Sequence, residues 1–271
     1  MKQQKRLEKF KKNFDSAKFY GSISHDAVTV LRWLLQILIP ERFYCCNKQN
    51  LDQLMNHFLP LFNDLMVREG AIISSDDLQE TLVELAEQLE EDAGFIYEND
   101  PAAGSKRDVK MFSAGFLAIT IYRLAHVLYR KEAHFTAHAW SFYARSLTGI
   151  EIHPAAFIAV PFGIDHGNGI VIGETAEVEE KVLLYHGVTL GAKSVKKELQ
   201  SRKRHPKIER DTVIYANATI LGGDTVIGRH TVIAANAFVN ETVPPFSVVY
   251  SHMQVKPFTK HASSLISDYV I

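Results

Sequence analysis

A six-residue repeat dominates the second half of the chain. Small or β-branched residues commonly stand two positions before its aliphatic residues, which puts both on one face of a strand. In a parallel β-helix each short side adds one buried aliphatic residue to a stack, so the repeat predicts this fold from about Ile152 to Val243. The aliphatic positions, in blocks of spacing six with a slip of one residue after Ile220, are Ile152, Ile158, Ile164 and Ile170; Ile172, Val178, Leu184 and Leu190; Ile208, Ile214 and Ile220; and Ile227, Ile233 and Val239.

A β-sandwich is the alternative fold, because its strands also carry aliphatic residues at even spacing. Sandwich spacing is less regular than this repeat, and glycine and polar residues such as those of 173–175 fall where coil corners are expected. The interruption between Leu190 and Ile208 must leave the coil as a loop. That loop is the most basic stretch of the C-terminal half, with Lys193, Lys196, Lys197, Arg202, Lys203, Arg204 and Lys207.

The first half of the chain has the periodicity of α-helices instead. Acidic residues and a serine open the segment that starts at Ser75, as expected of a helix N-terminus. Apolar residues at three-and-four spacing predict further helices over Ala27–Leu38, Val109–Tyr129 and His134–Leu147, the last stopped by Gly149. We therefore expect an α+β chain: a helical domain over 1–149, a β-helix domain over 150–247 with a basic loop at 192–207, and a tail over 248–271.

The amino-acid composition limits the cellular compartment and the classes of partner that we expect for this protein. The 30 basic residues nearly balance the 31 acidic ones, which argues against nucleic acid or an anionic membrane as a partner. Cys45 and Cys46 are adjacent and poorly placed for a disulfide framework, so we expect a cytoplasmic protein. The basic N-terminus lacks the apolar run of a secretory signal, and the apolar segment 112–122 is too short to span a membrane.

Residues that could support catalysis cluster at 151–154, 164–167 and 204–208, which flank coil turns or the loop. A β-helix interior is filled with aliphatic side chains, so a ligand site is expected in a groove between coils or subunits. A histidine at such an edge, for example His166 beside Glu151 or Asp165, can accept a proton near neutral pH. The ordinary alternative is a surface histidine in a turn.

A series of motifs resembles the serine O-acetyltransferase family. In order along the chain they are DPAA at 100–103, EIHPAA, GIDHGNGIVIGETA, GVTLGA, RHPKI, ILGGDTVIG and VPP at 243–245. The resemblance covers about Asp100 to Pro245 and implies a left-handed β-helix. It also implies transfer of an acetyl group from acetyl-CoA to L-serine in cysteine biosynthesis, without a metal.

The resemblance assigns roles to individual residues. His166 matches the catalytic base, which would take the proton from the serine hydroxyl as its oxygen attacks the thioester. Glu151 stands where many members have an aspartate that orients this histidine. Asp100 and Asp165 match residues that hold the substrate, and two carboxylates suit its ammonium group.

The other end of L-serine would meet Arg204 and His205, where a guanidinium can bind a carboxylate through two hydrogen bonds. Backbone amides would stabilise the oxyanion, and small side chains would let the pantetheine arm approach. The residues that match these CoA-binding positions are Gly191, Ala192, Ala216 and Ala235.

Two departures from the family pattern affect the expected contacts. The usual GGTGK loop is replaced by the longer segment 191–203, whose basic residues could meet CoA phosphates or simply face solvent. The segment 250–256 replaces the usual GVPAR, so contacts to adenine are not carried over. The chain ends in Ile271, and in this family a C-terminal isoleucine docks into O-acetylserine sulfhydrylase.

The sequence also leaves alternative functions open. γ-Type carbonic anhydrases use the same coil with three zinc-binding histidines, for which His166, His186 and His205 are candidates. A non-catalytic scaffold is a third reading, and succinyl-CoA is an alternative donor. The resemblance further implies a homotrimer, or a dimer of trimers paired through the helical halves, and it leaves cysteine feedback sensitivity undetermined.

Overall fold

A computed structural model describes residues 24–43, 51–71, 73–194 and 202–251, together with Glu8 and Lys11. Several sequence predictions concern positions outside these ranges, and they stay predictions. They are the environment of Cys45 and Cys46, the basic residues Lys196 and Lys197, and the C-terminal Ile271.

Seven helices lie in the described ranges between residues 24 and 148. Helix α1 covers residues 24–38, and the bounds of the others are α2 Pro40–Phe43, α3 Leu51–Glu69, α4 Ser75–Asn99, α5 Lys106–Phe112, α6 Ala114–Arg130 and α7 His134–Thr148. The predicted helices at 27–38, 75–85 and 134–147 are confirmed. The N-cap of α4 is Ser74, whose hydroxyl accepts the Asp77 N–H, and α7 ends at Gly149 with φ of 70°.

The single helix predicted over Val109–Tyr129 is wrong, because α5 and α6 are separate helices that meet at 76°. Ser113 ends α5 through its N–H on Val109 O, and its hydroxyl caps α6 by accepting the Phe116 N–H. Gly115 then packs against the coil so closely that a Cβ would collide with the Ile164 carbonyl oxygen. The bend therefore brings the start of α6 onto the backbone of the coil.

The second half winds into a parallel β-helix with three sheets. Sheet A has the strand order β1-β4-β7-β10-β13, sheet B has β11-β8-β5-β2, and sheet C has β14-β12-β9-β6-β3. All pairs are parallel, with Ile152 opposite Ile172 and Ile158 opposite Val178. The strands are β1 Glu151–Ile152, β2 Phe157–Ile158, β3 Phe162–Asp165, β4 Val171–Ile172, β5 Glu177–Val178, β6 Val182–Tyr185, β7 Thr189–Gly191, β8 Lys207–Ile208, β9 Val213–Ile214, β10 Thr219–Leu221, β11 Val226–Ile227, β12 Val232–Ile233, β13 Phe238–Val239 and β14 Val248–Val249.

The six-residue repeat forms the core of this coil. Every aliphatic residue of the repeat is buried, with exposure between 0% and 5%. The small residues two positions earlier, including Ala156 and Ala218, are buried beside them. The buried side chains of the helices and of the coil form one continuous cluster. The predicted parallel β-helix is thus confirmed, and its sandwich alternative is wrong.

A buried ion pair joins the helices to the first turn of the coil. Asp92 of α4 accepts two hydrogen bonds from the Arg123 guanidinium of α6, at 2.6 and 2.8 Å, and a third from the Phe162 N–H at 2.8 Å. Arg123 also donates to the Ile158 and Ala159 carbonyls at 3.3 Å. These contacts connect α4 and α6 to the first turn of the coil.

Among the described residues, no single helix is long and apolar enough to cross a membrane. The pair α5 and α6 reaches that length and composition together, but the two helices are bent by 76°.

Candidate active site

Two corners of the coil carry the predicted site residues. The first, which we name the His166 corner, joins sheet C to sheet A and contains 166–170 and 186–188. The second, the His205 corner, joins sheet A to sheet B and contains the described residues 153–156, 173–176, 192–194 and 202–206. Each strand of sheet A runs from the His166 corner to the His205 corner. The side chains of the two corners therefore lie at opposite ends of the strands of that sheet.

A cavity of about 630 Å³ opens at the His166 corner. It brings together three predicted site residues, Asp100, Asp165 and His166. Its lining comes from the C-terminal end of α4, the bend between α5 and α6, and strands of sheet C. The lining residues are Asp100, Pro101, Ala102, Ala103, Asp108, Val109, Phe112, Ser113, Ala114, Asp165, His166 and Tyr185.

Local backbone geometry presents the polar groups to this cavity. Asp165 ends β3, and His166 follows in the left-handed region with φ of 57°, which leaves its side chain 72% exposed. The His166 Nε2 lies 3.9 Å from Asp165 Oδ1, and its ring meets that of His186 edge-on with 5.8 Å between centroids. Asp100 caps the end of α4 and accepts the Ala102 N–H at 2.8 Å.

The cavity has an acidic lining. The described residues of its lining include three carboxylates, those of Asp100, Asp108 and Asp165, and neither lysine nor arginine. Burial and the nearby Asp165 raise the pKa of the Tyr185 phenol, so this group stays protonated as a donor. The arrangement favours a cationic group such as an ammonium. Asp108 and Tyr185 were not among the predicted residues, because neither belongs to a recognised motif.

Glu151 does not pair with His166 in this structure. Its Oε2 lies 3.0 Å from Nη1 of Arg145, in the last turn of α7. Arg145 carries a permanent positive charge, whereas a histidine attracts a carboxylate strongly only when it is protonated. The predicted orienting contact is therefore replaced by an ion pair at the domain junction.

Arg204 and His205 lie at the other corner, in contact with the coil segment 173–175. Arg204 pairs with Glu174 through Nη2, and His205 Nδ1 lies 2.9 Å from Thr175 Oγ1. Burial, followed by the charge of Arg204, lowers the pKa of His205 to about 4. Burial likewise lowers the pKa of His153, at the same corner of the first coil, to about 4. Both imidazoles are therefore neutral at pH 7.

The described lysines of the basic loop pair with carboxylates of the coil. Ion pairs form between Lys193 and Asp224 at 2.9 Å, Lys203 and Glu177 at 2.6 Å, and Lys207 and Glu179 at 2.7 Å. Their charges are thereby largely compensated within the chain. A phosphate would have to compete with these carboxylates for them.

The four predicted CoA-binding residues also divide between the two corners. Gly191 ends β7 and Ala192 begins the His205 corner, whereas Ala216 and Ala235 occupy successive coils at the His166 corner. The Asn236 N–H donates to Ala216 O at 2.9 Å, which stacks the two small residues.

The histidines proposed as zinc ligands do not converge within one chain. His166 and His186 are neighbours, but His205 belongs to the other corner. Across the described ranges, no group of three or more histidine, cysteine, aspartate or glutamate side chains has the geometry to hold a metal ion.

Comparison with known proteins finds relatives over the coil and over most of the fold, although no family model matches. A serine acetyltransferase of Bacillus licheniformis is 45% identical over 161 residues, which span 59% of this chain and 72% of the relative. A plasmid serine acetyltransferase of Synechococcus elongatus is 41% identical over 182 residues, and the match covers only 56% of that protein.

Solved structures extend the likeness to the helices. Serine acetyltransferase isoform 3 of Entamoeba histolytica, in complex with cysteine, superposes with a TM-score of 0.71 at 29% identity, covering 88% of this chain and 86% of that one. The Neisseria gonorrhoeae serine acetyltransferase, in complex with serine, gives a TM-score of 0.61 at 28% identity, covering 84% and 82%. With its β-helix, its acidic cavity and these relatives, the chain belongs to the serine acetyltransferase family.

Proposed function

We propose that this protein transfers the acetyl group of acetyl-CoA to the hydroxyl of L-serine, giving O-acetylserine for cysteine biosynthesis. The observation that carries the proposal is the cavity at the His166 corner, where an exposed histidine stands beside carboxylates suited to an ammonium group. The identity of the relatives supports the choice of serine.

In the proposed reaction, His166 removes the proton of the serine hydroxyl as the oxygen attacks the thioester carbonyl. The carbon–sulfur bond then breaks, and the CoA thiolate takes up the proton that His166 has carried. Asp100 and Asp165 hold the ammonium group, so the hydroxyl is presented to the imidazole. Glu151 orients His166 in this scheme, which requires its carboxylate to leave Arg145.

Among the described residues that line the cavity there is neither a lysine nor an arginine for the carboxylate of L-serine. We infer that Arg204 and His205 of a second copy supply this end of the site, because within one chain they lie across sheet A from His166. The same sharing would bring Gly191 and Ala192 of one copy to Ala216 and Ala235 of another around the CoA arm. A homotrimer, alone or paired into a dimer of trimers, satisfies this requirement with three equivalent sites.

A thiol-release assay tests the proposed activity. The protein is incubated with acetyl-CoA in the presence and absence of L-serine, free CoA is measured, and the product is identified by mass. We expect release that depends on serine and yields O-acetylserine. A parallel reaction with succinyl-CoA decides the donor, which we expect to be acetyl-CoA. Absence of serine-dependent release from the folded protein would reject the function.

The C-terminal isoleucine is proposed to bind O-acetylserine sulfhydrylase, as the family resemblance implies. Ile271 lies outside the described residues, so the proposal rests on the sequence. Deleting Ile271 should abolish co-purification with that enzyme and leave acetyl transfer intact; binding that survives the deletion would reject the partnership. The expected cytoplasmic location likewise rests on the sequence.

A further inference from the structure

Thr175 occupies the centre of a hydrogen-bond network at the His205 corner. Its hydroxyl oxygen accepts the backbone N–H of Arg204 at 2.9 Å and that of His205 at 3.0 Å. The same oxygen lies 2.9 Å from Nδ1 of the His205 ring. The two N–H groups use both lone pairs of the hydroxyl, so its proton is directed to Nδ1. One side chain thus fixes the end of the basic loop and the imidazole together.

The backbone of Thr175 determines which ring nitrogen of His205 carries the proton. The Thr175 N–H points at Nδ1 from 3.1 Å, and an N–H group can only donate. Nδ1 is therefore an acceptor, and the proton of the neutral ring resides on Nε2. Both donors on Nδ1 come from the same residue.

The opposite edge of the ring remains available to a ligand. The Cδ2 and Nε2 atoms of His205 pack on Gly173, where a Cβ would collide with them. No described group hydrogen-bonds to Nε2, yet this atom is not among the buried polar atoms that lack a partner in the described ranges. Nε2 is therefore exposed to solvent, although only 8% of His205 as a whole is exposed.

We propose that Thr175 is a positioning residue for L-serine, which holds His205 with its proton on Nε2 so that this N–H donates to the substrate carboxylate beside Arg204. The inference rests on the proposed function. It gives His205 the role of a hydrogen-bond donor, distinct from the base at His166. A Thr175 hydroxyl is then needed for serine binding and has no part in binding acetyl-CoA.

Kinetic constants of matched variants test this assignment. In Thr175→Val, which keeps the shape and removes the hydroxyl, we expect the KM for L-serine to rise about tenfold, the effect of one hydrogen bond. The KM for acetyl-CoA should stay unchanged, and Thr175→Ser should restore serine binding. Thr242→Val is the control, because Thr242 also accepts a backbone N–H and donates to a carbonyl, but at the last coil.

Nitrogen-15 NMR of the histidine rings supplies a second readout that needs no turnover. We expect His205, identified by comparison with His205→Gln, to show the tautomer protonated on Nε2 at pH 7. In Thr175→Val the backbone N–H still donates to Nδ1, so this tautomer should persist, and the Nδ1 resonance should shift because the hydroxyl donor is lost. A wild-type ring that is protonated on Nδ1 or doubly protonated would overturn the inference, even if Thr175→Val did not fold.

An unchanged serine KM in folded Thr175→Val would also overturn the inference. Failure of the proposed function has a different signature, since wild-type protein would then release no CoA in response to serine. The NMR result would still report the His205 tautomer in that case, so the two failures are distinguishable.

Discussion

Glu151 has Arg145 as its ion-pair partner in the structure and His166 as its partner in the proposed reaction. In the structure its Oε2 is held by Arg145 at 3.0 Å, and both side chains are largely exposed. An exposed ion pair of this kind contributes about 0–1 kcal/mol, so a protonated His166 could draw the carboxylate away during the reaction. Mutations of Glu151 and Arg145 can therefore distinguish the ion pair with Arg145 from the proposed contact with His166.

We expect Glu151→Gln to lower kcat by about tenfold or more, because the imidazolium formed at His166 loses its carboxylate partner. Arg145→Ala, which frees Glu151, should leave kcat at least as high as in the wild type. Steady-state assays of the two variants and the wild type measure these kcat values. Equal kcat in Glu151→Gln and wild type would restrict Glu151 to the ion pair with α7.

The neutral histidines of the His205 corner predict a pH dependence of stability. The pKa values of His153 and His205 are about 4 in the folded protein, against 6.5 for an ordinary histidine. Between pH 4 and pH 6.5 the unfolded chain binds more protons than the folded protein. The contribution of these histidines to stability is therefore fully present above pH 6.5 and is lost as the pH falls toward 4. We expect the free energy of unfolding to decrease by roughly 1–2 kcal/mol per histidine between pH 7 and pH 5.

Urea unfolding at both pH values measures this effect. His153→Asn keeps an acceptor for the Ala155 N–H and removes the titration, so its loss of stability on acidification should be smaller. His230→Asn, at an exposed position, should behave as the wild type. Identical pH slopes in His153→Asn and wild type would contradict the assignment.

At the scale of elements, a buried ion pair lies at the junction of α4 and α6 with the coil. Asp92 is 0% exposed and Arg123 is 5% exposed. Asp92→Ala leaves the guanidinium buried without its partner, which should cost about 3–5 kcal/mol. Replacing both residues, as Asp92→Leu with Arg123→Met, should recover much of that loss.

Chemical denaturation of these variants provides the measurement. Lys193→Ala is the control, since the exposed pair of Lys193 with Asp224 should contribute no more than about 1 kcal/mol. A small effect of Asp92→Ala, comparable to that of the control, would show that the junction does not depend on this pair.

The elements differ in how well the sequence predicts them. Each side of the coil is only a few residues long and buries one aliphatic residue, so the repeat of six is visible directly in the chain. The bend at Ser113 is not, because the helical period continues through it and serine is tolerated inside helices. The bend depends on a tertiary contact, the approach of Gly115 to the Ile164 backbone.

The same distinction applies to the site. The motifs predicted Asp100, Asp165 and His166, which the structure gathers in one cavity. The bend between α5 and α6, absent from the prediction, supplies Phe112 and Ser113 to the wall. The separation of the two corners could not be read from a linear motif, because it depends on which sheets each turn connects.

At the scale of the whole molecule, the two corners predict that the site is shared between copies. His166→Ala and Arg204→Ala should each be nearly inactive. When the two variants are co-expressed with different tags and mixed trimers are isolated, activity should return to about one third of wild type, because each mixed trimer joins two intact corners at one of its three interfaces. If mixed oligomers stay as inactive as either variant alone, each site lies within one chain.

His166 is the proposed base for acetyl transfer, and the kcat of His166→Ala with acetyl-CoA and L-serine tests this role directly. A general base contributes about 10²- to 10⁴-fold, so we predict a loss of that size. Acetyl-CoA binding, followed by calorimetry on the same preparation, should stay close to that of wild type. Turnover near the wild-type rate would contradict the assignment of His166 and, with it, the proposed site.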